Sequence, residues 1–183
     1  MSKVRIIFRR CIMKRLITSA LCFMFTLCLT ACAVPTKGEN SSCENNLGAS
    51  FESDAVIVID KLNADAELIH SDDGAWSVEF SSPNTLSGIK LEFADDKVNA
   101  SYKGLDFSVP QSALPVKAMM LNLIQAVDDN STSEKLSGEE KDGMLIIKGS
   151  LEGGDYTITA NSEGKLTAFE MPNNKLKITI VSD

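Results

Sequence analysis

From Ala55 onward apolar and polar residues alternate with a period of two, the pattern of strands that bury one face. Ala55 to Asp60 (AVIVID) is apolar on both faces, and Ala66, Leu68 and His70 then alternate with Glu67, Ile69 and Ser71. Trp76, Val78 and Phe80 alternate with Ser77, Glu79 and Ser81. Beyond a turn at Ser82-Pro83-Asn84, Ile89, Leu91 and Phe93 alternate with Lys90 and Glu92. Asp95-Asp96 makes the next turn, followed by Val98, Ala100 and Tyr102, and Gly104 leads into Leu105, Phe107 and Val109. Four more strands are predicted at Met144 to Leu151, Tyr156 to Ala160, Leu166 to Met171 and Leu176 to Val181. One-sided alternation of this kind suits an antiparallel meander with one face on a core and the other in water.

The alternation breaks once. Pro115 to Asp128 carries Val116, Met119, Met120, Leu123, Ile124 and Val127 at i, i+3, i+4 spacing, which predicts an amphipathic helix with Pro115 in its first turn. Met120, Leu123 and Val127 lie at the centre of its apolar stripe. The charged stretch Asp128 to Asp142 is predicted as a mobile loop. The sum is an α+β chain, mainly antiparallel β, of about ten strands and one helix.

Ahead of this pattern lies the uncharged run Leu16 to Cys32, preceded by Lys3, Arg5, Arg9, Arg10, Lys14 and Arg15. A basic start, an apolar middle and a small-residue end make a secretory signal over residues 1–31. The ending Leu29-Thr30-Ala31-Cys32 resembles the lipobox of bacterial lipoproteins, and the resemblance implies diacylation of Cys32 as the mature N-terminus. Cys22 and Cys28 follow leucines, which are too large for that motif. The competing reading is an uncleaved span, since Leu16 to Thr36 carries no charge and about 20 apolar residues cross a bilayer. Thr18, Ser19, Thr26, Thr30 and Pro35 dilute the run, which favours cleavage. Met13-Lys14-Arg15 would itself serve as a start. Residues 32–50, rich in Ser, Asn, Gly and Glu, are predicted as a lipidated flexible tether, and residues 51–183 as one domain.

Removing residues 1–31 takes six of the 18 basic residues and none of the 25 acidic ones, leaving 12 lysines against 25 carboxylates, a net charge of −13. Such a surface repels nucleic acid and anionic headgroups, so the expected membrane attachment is through acyl chains on Cys32, on the outer face of the cytoplasmic membrane. Cys43 is then the other mature cysteine. It reads as a free surface thiol or as the arm of an intermolecular bridge.

The order of strands, apolar helix and strands again on a lipidated chain resembles the LolA-like superfamily of carriers and lipoproteins. WSVEFSSPNTLSGIKLEF, VNASYKGLDFSV, ALPVKAMMLNLIQAVD and Gly154-Asp155-Tyr156-Thr157 are similar to a group of small clostridial-type lipoproteins. The resemblance implies a strongly curved sheet, an incomplete β-barrel whose concave face is capped by a helix and can hold acyl chains. It brings no catalytic motif, and the arginine that such carriers place on the inner sheet has no counterpart, because the mature chain contains none.

Hydrolase, nucleotide and metal signatures are absent from the sequence, so neither an enzyme nor a cofactor is expected. His70 is the one histidine and reads as a strand-surface residue. The paired acids Asp72-Asp73, Asp95-Asp96, Asp128-Asp129 and Glu139-Glu140 fall at predicted turns or helix ends and read as solvated carboxylates. The candidate ligand-binding residues are the inward ones: Trp76, Phe80, Phe93, Tyr102 and Phe107 on the sheet, and Met119, Met120, Leu123 and Val127 on the helix. Flexible thioethers over a concave sheet suit a lid on a lipid-sized cavity, and they suit equally a plain core. Two functions follow: a binder of lipid or another hydrophobic ligand, or a structural or regulatory module with a filled barrel that docks an envelope protein.

Overall fold

The computed structural model describes residues 40–113 and 119–181. The signal segment, Cys32 and the helix positions Pro115 and Val116 lie outside them. Gly38–Asp183 forms one compact unit.

Twelve strands build a single antiparallel sheet: β1 Asn40–Glu44, β2 Phe51–Ile59, β3 Leu62–His70, β4 Trp76–Phe80, β5 Lys90–Ala94, β6 Lys97–Tyr102, β7 Leu105–Pro110, β8 Lys135–Lys141, β9 Met144–Leu151, β10 Gly154–Ala160, β11 Leu166–Met171 and β12 Leu176–Ile180. Their spatial order is β1-β8-β9-β10-β11-β12-β2-β3-β4-β5-β6-β7. Two meanders, β2 to β7 and β8 to β12, are thus joined side by side through the β12–β2 pair. The sheet does not close; β1 and β7 are its edges. One α-helix among the described residues, α1 (Met119–Ser131), lies in the chain between the meanders and caps the curved sheet.

Turn chemistry explains the tight hairpins. Asp95 and Asp96 (φ 51° and 58°), Lys103 and Gly104 (49° and 82°) and Asp142 and Gly143 (54° and 76°) all sit in the left-handed region. Two successive residues there form the turn whose twist matches paired strands.

Register puts the alternating apolar residues in continuous rows on one face. Ile147, Ile158, Phe169, Ile178, Ile57 and Ala64 are successive cross-strand partners over six strands. A second row runs His70, Trp76, Phe93, Val98 and Val109 over β3 to β7. Met120, Leu123, Ala126 and Val127 of α1 join these rows in one hydrophobic cluster. The outer rows are polar. Asp54, Glu67 and Glu79 face one another directly across β2, β3 and β4, whereas Lys177 and Glu170, paired across β11 and β12, form an ion pair at 2.6 Å.

Three expectations need correction. Residues 40–50 belong to the fold and not to a tether: β1 pairs with β8, and Leu47 is 1% exposed. The stretch Asp128 to Asp142 is not a loop, because α1 runs on to Ser131 and β8 occupies Lys135–Lys141. His70 is buried, 6% exposed, not on the strand surface.

Candidate functional site

The candidate ligand residues separate into two groups. Trp76 (1% exposed), Phe80 (7%), Phe93 (5%), Met120 (1%), Leu123 (0%) and Val127 (1%) are buried in the cluster between sheet and helix. A void wide enough for water would leave part of their surface accessible, so these six face other atoms on nearly all sides. Met119 and Tyr102 are half-buried, and Phe107 is exposed at 61%. Phe107 lies on the inner-facing row, opposite Ala100, but on the edge strand β7, where the helix does not cover it.

The buried group is locked by aromatic packing. The His70 ring stacks on Trp76 at 4.3 Å between centroids, and Phe51 meets both edge-on, at 5.7 Å from Trp76 and 6.2 Å from His70. His70 Nδ1 lies 3.0 Å from the Ala49 carbonyl oxygen. A carbonyl only accepts, so Nδ1 carries the proton. The Trp76 indole N–H has no hydrogen-bond partner among the described residues.

The helix is held at its C-terminal end by the chain that sequence reasoning assigned to the tether. Asn45 Nδ2 donates to the carbonyls of Asn130 (2.8 Å) and Ser133 (2.6 Å), meeting the need for donors that the last carbonyls of a helix leave. Asn46 Nδ2 donates to the carbonyl of Glu163 (2.6 Å) and so ties the same strap to the turn after β10. Asn130 Nδ2 in turn donates to the Ala126 carbonyl and to the Tyr156 hydroxyl, each at 2.8 Å. Asp128 is exposed, yet partial desolvation on the helix pushes its carboxyl up from its ordinary pKa, a shift opposed by nearby His70 and reinforced by Asp129. Cys43 is a half-buried free thiol on β1, and burial raises its pKa, the direction that makes a thiol less reactive.

Sequence reasoning missed Phe51, Leu47, Tyr156 and Phe169, which are as much part of this interior as the residues it named. The period-two signal marks Tyr156 and Phe169; Leu47 stands in a polar stretch without any signal. A hollow of about 230 Å³ lies outside the interior, between Ala49–Ser53 on one side and Lys165–Thr167 on the other. Its one cation, Lys165, is paired with Glu163 at 2.9 Å. No group of three or more metal-ligating side chains occurs among the described residues.

What the fold and interior define is a broad class: an open, curved antiparallel sheet packed on a single helix. No family model matches the chain, and no curated protein matches it. Among solved structures, an uncharacterized conserved protein from Thermus thermophilus is similar at TM-score 0.49 and 14% identity, over 74% of this chain and 78% of that chain. A chain in the structure of the CwlD amidase from Clostridioides difficile in complex with the GerS lipoprotein is similar at TM-score 0.38 and 20% identity, over 74% of this chain and 77% of that one. Neither likeness carries an argument about the activity of this chain.

Proposed function

We propose that this chain is a lipid-anchored extracytoplasmic protein of LolA-like architecture that works through its outer surface, as a non-catalytic docking module of the cell envelope. The single observation that supports this reading over lipid carriage is the packing of the interior. Six of the nine residues expected to touch a ligand are at most 7% exposed and spend their apolar surface on one another. An acyl chain entering there would have to displace α1, and with it the buried contacts of Met120, Leu123 and Val127. Anchoring would come from two acyl chains on Cys32, since dual acylation holds a protein stably where one chain does not.

Native mass spectrometry of residues 38–183 tests the choice. The expected spectrum contains the bare polypeptide mass. A stoichiometric adduct of lipid mass that survives purification would overturn the filled-interior reading and restore the carrier.

A further inference from the structure

The packed interior leaves a pair of large apolar side chains exposed on the β6–β7 hairpin. Leu105 is 69% and Phe107 61% exposed, the two highest values among the large hydrophobic residues described. Single exposed leucines are ordinary, but these two stand two residues apart on one strand and therefore on one face. Tyr102, the cross-strand partner of Leu105, extends that face, and the Lys103 ammonium sits 4.9 Å from the Tyr102 ring centroid at the tip. Asp106 pairs with Ser101 on the opposite face, so its charge does not interrupt the patch.

An aromatic ring, two large apolar side chains and a lysine whose head can reach water while its stem stays apolar are the side-chain types that settle at a membrane interface. Chain length says what lies within reach. Asn40 stands eight residue steps along the chain from Cys32, at most about 29 Å when fully extended. A domain of this size has a radius of gyration near 15 Å, hence a width of roughly 38 Å. The leash enters at β1, the edge of the sheet opposite β7, and it keeps the anchored domain close to the bilayer at high effective concentration, where a weak contact of the hairpin is populated whenever both edges face the membrane.

We propose that the open face of the β6–β7 hairpin, formed by Tyr102, Leu105 and Phe107 with Lys103 at its tip, rests in the headgroup region of the bilayer and fixes how the anchored domain is oriented. This rests on the lipid-anchor part of the proposed function and adds a second, non-covalent membrane contact to it.

The test uses the full-length acylated chain, its diacylglycerol verified by mass spectrometry, in phosphatidylcholine vesicles whose acyl chains are brominated. A Phe107→Trp substitution places a reporter at an already exposed position. Its emission is expected to fall about twofold or more against unbrominated vesicles, as for an interfacial indole. The parent chain, whose Trp76 is 1% exposed, should keep its emission. Adding Leu105→Asp to Phe107→Trp should relieve the quenching while leaving the chain anchored. Unquenched emission from the acylated Phe107→Trp chain overturns the hairpin contact and leaves the anchor standing. A chain that carries no diacylglycerol on Cys32 overturns both. Emission that shifts with protein concentration and not with bromine means that a second copy covers the patch, and this too overturns the proposal.

Discussion

Leu123 tests whether α1 is part of the core or a lid over it. The side chain is 0% exposed, between Met120 and Val127 on the buried stripe. Cutting it to alanine removes three carbons that nothing replaces, and buried leucines lost in this way cost about 3 to 4 kcal/mol through transfer and cavity terms together. A domain of this length holds on the order of 10 kcal/mol in all. Leu123→Ala should therefore lower Tm by roughly 10 °C, and lower the urea midpoint by about 1.5 M at an m-value near 2 kcal/mol/M. The chain contains one tryptophan, Trp76, and it is buried in the same cluster, so its fluorescence reports the unfolding directly. Gln125→Ala, on the exposed side of the helix, is the control and should move the midpoint very little. Leu123→Asp goes further, since a carboxylate buried without a partner is strongly unfavourable, and the chain should fail to fold at about 25 °C. A hinged lid would behave differently: Leu123 would already be solvated part of the time, and its truncation would cost under about 1 kcal/mol. A midpoint unchanged by Leu123→Ala refutes the filled core.

Asn130→Ala removes the donor to the buried Tyr156 hydroxyl and should cost about 1 to 2 kcal/mol by denaturant titration, whereas Gln125→Ala in the same helix costs nearly nothing. Gly164→Ala should cost about 2 kcal/mol or more in the same assay, because its φ of 76° is strained for alanine and an added Cβ would run into the Glu44 carbonyl. Asp128 binds its proton more tightly folded than unfolded, so its ionisation costs stability as pH rises from the ordinary 3.8 through the raised value, and the cost is fully present above it. Because the side chain is exposed and its charge is screened, Asp128→Asn should raise Tm at neutral pH only slightly, and the gain should vanish below pH 3.8.

The strands were legible because burial on one face forces an alternation that no other element shares. Every strand from β2 onward except β8 falls where a period-two or wholly apolar run stands in the sequence. The two that escaped, β1 (NSSCE) and β8 (KLSGEEK), escaped for a physical reason. They pair with each other at the sheet's edge, half or more of their residues face water, and only Cys43 and Leu136 reach the core. Polar strands at an edge carry the composition of a linker. The same blindness hid His70: alternation set it on the buried face beside Leu68, but its polarity argued for water. Stacking on Trp76 and a bond to the Ala49 carbonyl settle its place, the second partner lying in a stretch that reads as tether.

Alternation and helical stripes also determine which residues point inward, but they are silent on how far apart the opposing faces stand. Trp76, Phe93, Met120 and Leu123 would show the same sequence pattern around a lipid as against one another. The deciding quantity is the separation of helix and sheet, and the residues that set it lie elsewhere. Asn45 ties the carbonyls of Asn130 and Ser133, Asn130 reaches Tyr156, and a Cβ on Gly48 would stand 3.3 Å from Ser131. These polar and small residues pull the C-terminal end of α1 down onto the sheet from outside the apolar interior. A carrier that opens for a ligand needs that end free to move. Here the strap from Asn45 to Ala49 crosses it, with Leu47 buried and Ala49 bonded to His70. Releasing the strap by Asn45→Ala should therefore loosen α1 before it unfolds the sheet. Amide exchange in α1 would accelerate while that in β10 to β12 stays slow. Equal acceleration in both would mean that helix and sheet unfold as one unit and that the strap merely adds to global stability.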